Sequence, residues 1–159
     1  MKSLTPDHRD RHVAWFAKTA GTVMVSNPVS IGRDASIPDA ADFLTAKQIS
    51  AAPVIDVAGR PVGVLSRADI VRHARISESL FTDFRNATVD EIMTPVVYFV
   101  RPDTPLMSVI DDLLVCKVHR LFVVDDHGVL IGVISTLDVL RSLLPEASSS
   151  AYELAESAA

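Results

Sequence analysis

The sequence predicts an α/β (α+β) fold made of two copies of one strand–helix–strand–strand–helix unit. Three observations carry this. First, Gly63-Val64-Leu65-Ser66-Arg67-Ala68-Asp69 returns as Gly132-Val133-Ile134-Ser135-Thr136-Leu137-Asp138. The 69-residue offset from Gly63 to Gly132 holds without a gap, pairing Met24 with Met93, Asp34 with Asp103, Leu44 with Leu113, Asp56 with Asp125, Gly59 with Gly128 and Arg72 with Arg141. Self-similarity of this length fixes architecture before any local signal. Second, the runs Ala52–Val57 and Leu121–Asp125 lack alternation, as strands buried on both faces do. Third, each copy turns at a serine into an amphipathic segment. Two helices cannot cover both faces of a three-stranded half. The halves are therefore expected to pack sheet to sheet about a pseudo-two-fold axis.

Taken in order, residues 1–21 are an N-terminal cap. Val13, Trp15, Phe16 and Ala17 give the segment Asp7–Ala20 an apolar side, and Gly21 ends it. The first repeat covers 22–75. Val29 and Ile31 mark a short strand, and Ser36 caps a helix from Ile37 to Gln48 with Ala40, Ala41, Phe43 and Leu44 on one face. Ala52–Val57 and Pro61–Leu65 form a hairpin around Ala58-Gly59-Arg60. Ser66 opens the second helix, with Ile70 and Val71 inward. Residues 76–91 are a helical connector in which Leu80, Phe81 and Phe84 pack and Thr88-Val89-Asp90-Glu91 is a capping box. The second repeat covers 92–145. It has a strand at Val96–Val100, a helix with Leu106, Val109, Ile110, Leu113 and Leu114 inward, a hairpin turned by Asp126-His127-Gly128, and a last helix stopped by Pro145. Residues 146–159 are a polar tail with room for a short helix at Tyr152–Ala155.

Composition excludes several functions. The chain has 48% apolar and 22% charged residues, as a globular protein does. A net charge of −5 disfavours sequence-independent nucleic-acid binding, which needs a basic surface. The single cysteine, Cys116, sits in an apolar helix and reads as a small buried hydrophobe. His8 and His12 lack a third ligand, so no metal cluster is expected. No run approaches a membrane span, and the start is too polar for a signal peptide, so a cytoplasmic protein is expected. No phosphate-binding glycine loop or catalytic constellation is present, so the chain is not expected to be an enzyme.

The repeated Ser-x-x-Asp corner has two readings. One is a helix cap: serine at the N-cap and an acid at N3 satisfy each other's backbone amides, although Glu or Gln is usual at N3. The other is a nucleoside phosphate site. A helix start and a hydroxyl suit phosphate, a carboxylate accepts the ribose diol, and an apolar strand end holds a base.

The run Ala52-Pro53-Val54-Ile55-Asp56, continued by Gly59-Arg60-Pro61-Val62-Gly63-Val64-Leu65-Ser66-Arg67-Ala68-Asp69-Ile70, resembles a CBS domain. Its echo over Arg120–Val139 makes the whole resemble a tandem CBS pair, or Bateman module, over about residues 22–144. The segments Asp90–Pro95 and Arg101–Leu106 match as well. The resemblance implies β-α-β-β-α repeats paired through their sheets, and two clefts for regulatory adenosine ligands: AMP, ADP or ATP, with S-adenosylmethionine or NAD as further options. It implies a first cleft with Asp138 on the ribose, Ser135 and Thr136 on phosphate, and Val25, Ser30, Ile49, Ser50 and Ala51 around the base. It implies a second with Asp69, Ser66, Thr94, Phe99, Val118, His119 and Arg120, and Arg67 nearby. Val25 replaces a common threonine, and Phe99 replaces a common small residue. The two clefts are therefore expected to differ, the second favouring more phosphate. A homodimer and an unidentified regulated protein are implied as partners. A ligand-free dimerisation scaffold is the alternative.

Overall fold

The computed structural model of the chain describes residues 18–80 and 87–143, with side chains undescribed at 76–80. The expected N-terminal helix, the connector positions Phe81 and Phe84, Pro145 and the tail lie outside the described residues. Within them the order is α1 (Ala20–Val23), β1 (Val25–Ser26), β2 (Ile31–Gly32), α2 (Ile37–Ala46), β3 (Ala51–Ile55), β4 (Pro61–Ser66) and α3 (Arg67–Leu80). There follow α4 (Val89–Ile92), β5 (Phe99–Val100), α5 (Leu106–Val115), β6 (Arg120–Val124), β7 (Leu130–Ser135) and α6 (Thr136–Ser142). This is the mixed α/β repeat that the sequence predicts.

The chain forms two compact units. Of the described residues, the first holds 27–80, 87–99 and the hairpin tip 124–131; the second holds 18–26, 100–123 and 132–143.

In the first unit the sheet runs β2-β3-β4. β3 is buried at Ala52, Pro53 and Val54 in succession, as its lack of alternation predicts. Pro53 fits a central strand because β2 is short and pairs only with Val54 and Ile55, so no ladder bond needs a Pro53 amide. Ile31, Ile37, Leu44, Val54, Leu65 and Val89 form the core. Ser36 caps α2, its hydroxyl oxygen accepting from the Asp39 amide at 3.2 Å. Gly59 takes φ +77°, and Asp56 Oδ1 accepts from the amides of Ala58 and Arg60, both at 2.9 Å. The tip 124–131 joins this turn: the Leu130 amide donates to the Gly59 carbonyl at 3.0 Å and Arg60 Nε to the His127 carbonyl at 3.2 Å.

The other sheet has the order β1-β7-β6-β5, and most of its residues belong to the second unit. Leu121, Phe122 and Val123 are buried in succession on β6, and Leu106, Val109, Leu113, Ile134 and Val139 fill the core. Lys18 Nζ donates to the Ser142 carbonyl at 2.5 Å, neutralising the C-terminal end of α6.

Each unit takes in the lead-in of the other repeat. In the second, Thr19 bridges to Pro105 and β1 pairs antiparallel with β7, Val25 opposite Val133. In the first, Thr88 bridges to Ser36 and Thr94 to Val64. These are the same pairs displaced by one repeat. Gly63 and Gly132 make the approach possible. A Cβ on Gly63 would stand 2.6 Å from Met93 Sδ, and one on Gly132 would collide with Met24 Sδ.

Several expectations are corrected. Gly21 does not end a helix; it lies inside α1, where its amide donates to the Pro102 carbonyl at 2.8 Å and an added Cβ would meet that oxygen at 3.1 Å. The helix from Ile37 stops at Ala46, because Gln48 adopts φ +55°. The strand expected from Val96 is confined to Phe99–Val100. Leu114 and Val71 are exposed rather than inward, and Cys116, the C-cap of α5, is half-buried.

Candidate functional site

Both Ser-x-x-Asp corners adopt the same geometry. At the end of β4, Ser66 Oγ donates to Asp69 Oδ2 at 2.6 Å and the Ser66 amide donates to the same oxygen at 2.9 Å. The Asp69 amide returns a bond to Ser66 Oγ at 3.2 Å. At the end of β7 the corresponding distances for Ser135 and Asp138 are 2.6, 2.7 and 3.2 Å. The capping reading of the motif is therefore real. The shorter aspartate reaches back with one oxygen and keeps the other for a second partner.

That second oxygen distinguishes the corners. Asp69 Oδ1 accepts from Arg72 Nη1 at 3.1 Å, and Asp69 is only 7% exposed. Asp138 is half-buried, and its Oδ1 accepts no hydrogen bond from the described residues.

The helix amides at the corners are partly committed. The Arg67 amide donates to the Ser50 carbonyl at 3.0 Å, and the Thr136 amide to the His119 carbonyl at 3.1 Å. With the Asp69 and Asp138 amides on their serines, two of the first three N–H groups are used in each helix. A phosphate here must draw chiefly on side chains. Arg67 Nη2 donates to the Leu44 carbonyl at 3.2 Å, closing the last turn of α2. Beside it an open cavity of about 580 Å³ is lined by Arg67, Ala68, Val71, Arg72 and Arg75. Sequence reasoning does not single out Arg72 and Arg75. The signal is three arginines on one helix of an acidic chain, which also fits a solvated face.

The residues named from the sequence divide between the units. Ser30, Ile49, Ser50, Ala51, Ser66, Arg67, Asp69, Thr94 and Phe99 belong to the first; Val25, Val118, His119, Arg120, Ser135, Thr136 and Asp138 belong to the second. Within its unit, Thr94 pairs with Val64, two residues before Ser66, and Val25 pairs with Val133, two before Ser135. Ser50 reaches the Asp69 corner and His119 the Asp138 corner through their backbones. Thr94, Phe99, His119, Arg120 and Thr136 are exposed. Among the described residues no group of three or more His, Cys, Asp or Glu could hold a metal ion, and no helix is long and apolar enough to cross a membrane.

Residues 20–75 and 89–145 each match the CBS domain family. The chain belongs to the CBS domain family. This CBS pair is 33% identical over 125 residues to an inosine-5'-monophosphate dehydrogenase of Nitrosopumilus maritimus, a match covering 79% of the chain and 24% of the dehydrogenase. It thus spans about a quarter of the dehydrogenases it matches. Among solved structures it resembles CBSX2 of Arabidopsis thaliana in complex with AMP, at 31% identity and TM-score 0.67, over 79% of this chain and 96% of that one. It also resembles a CBS domain pair in complex with 5'-methylthioadenosine and S-adenosyl-L-methionine, at 25% identity and TM-score 0.61, over 78% and 94%.

Proposed function

We propose that this CBS pair is a regulatory module that binds an adenosine ligand at its Ser-x-x-Asp corners and passes ligand state to a partner protein by a change of conformation. One observation carries the reading. Each corner aspartate is fixed by its serine through a single oxygen, so the carboxylate is oriented before a ligand arrives, and at Asp138 the second oxygen remains to accept a ribose hydroxyl. The pre-set acceptor spares the ligand the cost of ordering it. The adenosine ligands of CBSX2 and of the second CBS pair support the class, with AMP, ADP or ATP placed first and S-adenosylmethionine or NAD next. Catalysis is not proposed, since the likeness to the dehydrogenases covers only about a quarter of their length. Thermal unfolding with each of these compounds tests the reading. A ligand at a hundred times its Kd adds about 2.7 kcal/mol to the native state.

The regulated partner is unidentified. A second copy of the chain is proposed as one partner, because Leu114, Val115, Leu137 and Leu140 are 50–80% exposed on α5 and α6, two helices that pack on each other. The same apolar faces favour the second reading, a ligand-free dimerisation scaffold whose corners serve only as caps.

A further inference from the structure

We infer that Arg72 makes the Asp69 corner selective for phosphate-bearing nucleosides, an inference that rests on the adenosine reading above. Asp69 Oδ2 is taken by two donors of Ser66, and Oδ1 is taken by Arg72. A ribose diol needs acceptor positions on this carboxylate. Three of the roughly four lone-pair positions of the carboxylate are thus filled, so a diol that sets both hydroxyls on it displaces the guanidinium, exchanging a bond between two ionised groups for one in which only the carboxylate is charged. The exchange becomes favourable when the released guanidinium meets another anion. That anion has a place on the open surface of α3, in the hollow lined by Arg67, Arg72 and Arg75, which adjoins the corner through Arg72. Arg67 is held there by the Leu44 carbonyl and gives a fixed positive wall. The Arg72 side chain is 68% exposed, so it can turn from Asp69 to a phosphate without disturbing the core. Asp138 carries no such obstacle, its bonds from the described residues coming from Ser135. The Asp69 corner therefore binds AMP or ATP in preference to adenosine, while the Asp138 corner takes both.

Calorimetry on the full chain tests this. Asp138→Asn isolates the Asp69 corner, which is titrated with AMP and with adenosine, alone and combined with Arg72→Gln or Arg72→Lys. AMP is expected to bind about tenfold more tightly than adenosine, because its phosphate replaces the charge-assisted hydrogen bond that adenosine forfeits. Arg72→Gln should bring the two within about twofold by strengthening adenosine and weakening AMP, and Arg72→Lys should keep most of the preference. An unchanged ratio in Arg72→Gln, or loss of all binding in Asp138→Asn alone, overturns the inference and leaves the adenosine reading at Asp138. If the unaltered chain binds neither compound, both fall together.

Discussion

Gly63 lies so close to Met93 that a Cβ on the glycine would stand 2.6 Å from the Met93 sulfur and 2.8 Å from the Thr94 carbonyl oxygen. Gly132 has the equivalent relation to Met24, but the three nearest atoms there all belong to the methionine side chain. A methionine side chain can move, whereas a paired backbone carbonyl cannot. Gly63→Ala should therefore destabilise the protein by about 1–3 kcal/mol, in the range for overpacking a filled space, and Gly132→Ala by less. In double variants Met24→Ala should relieve Gly132→Ala more than Met93→Ala relieves Gly63→Ala. Chemical denaturation of the four single and two double variants measures both couplings.

The serine caps give a second expectation. Ser66→Ala and Ser135→Ala each remove the hydroxyl that the N3 amide and the aspartate share, and should cost about 1 kcal/mol. Ser66→Ala should cost more, because Asp69 is the more deeply buried carboxylate and loses a donor that water replaces poorly. Ser→Thr at either site keeps the hydroxyl and should cost little. Urea melts of these variants decide it.

Much of this architecture is legible in the sequence because the repeat is gapless. Once Ser66 and Ser135 are read as one corner seen twice, the hairpins, the buried strands and the helix starts follow in register. Less legible is what depends on contacts far apart in the chain. Thr94 pairs with Val64, and Val25 with Val133, through the lead-ins, yet no periodicity announces a two-residue strand. Gly21 carries the usual mark of a helix end, but it is small so that α1 can approach Pro102. Apolar spacing on α5 shows that a face is covered without saying how wide it is, so Leu114 reads as core although it is 70% exposed. In the site, the serine and aspartate stand out because their spacing repeats. Arg72 repeats as well, but a charge on a helix surface carries no sign of its partner until the 3.1 Å contact with Asp69 is seen.

The exposed leucines yield a third expectation. If α5 and α6 form the face between two copies, Leu140→Glu places a charge in an apolar interface and should turn a dimer into a monomer. The monomer should keep its melting temperature at low protein concentration within a few degrees, because Leu140 is 58% exposed in the single chain. Sedimentation velocity over a range of concentrations distinguishes a dimer that this substitution dissolves from a chain that is monomeric throughout.

The most direct test of the central claim is isothermal calorimetry of AMP into the unaltered chain and into Asp138→Asn. The substitution keeps the shape of the corner and removes the charge. The account predicts saturable binding by the unaltered chain and loss of one class of site, with at least a tenfold loss of affinity there, in Asp138→Asn. Saturable binding that is identical in the two proteins, or no binding of AMP or any other adenosine ligand by the unaltered chain, would contradict it.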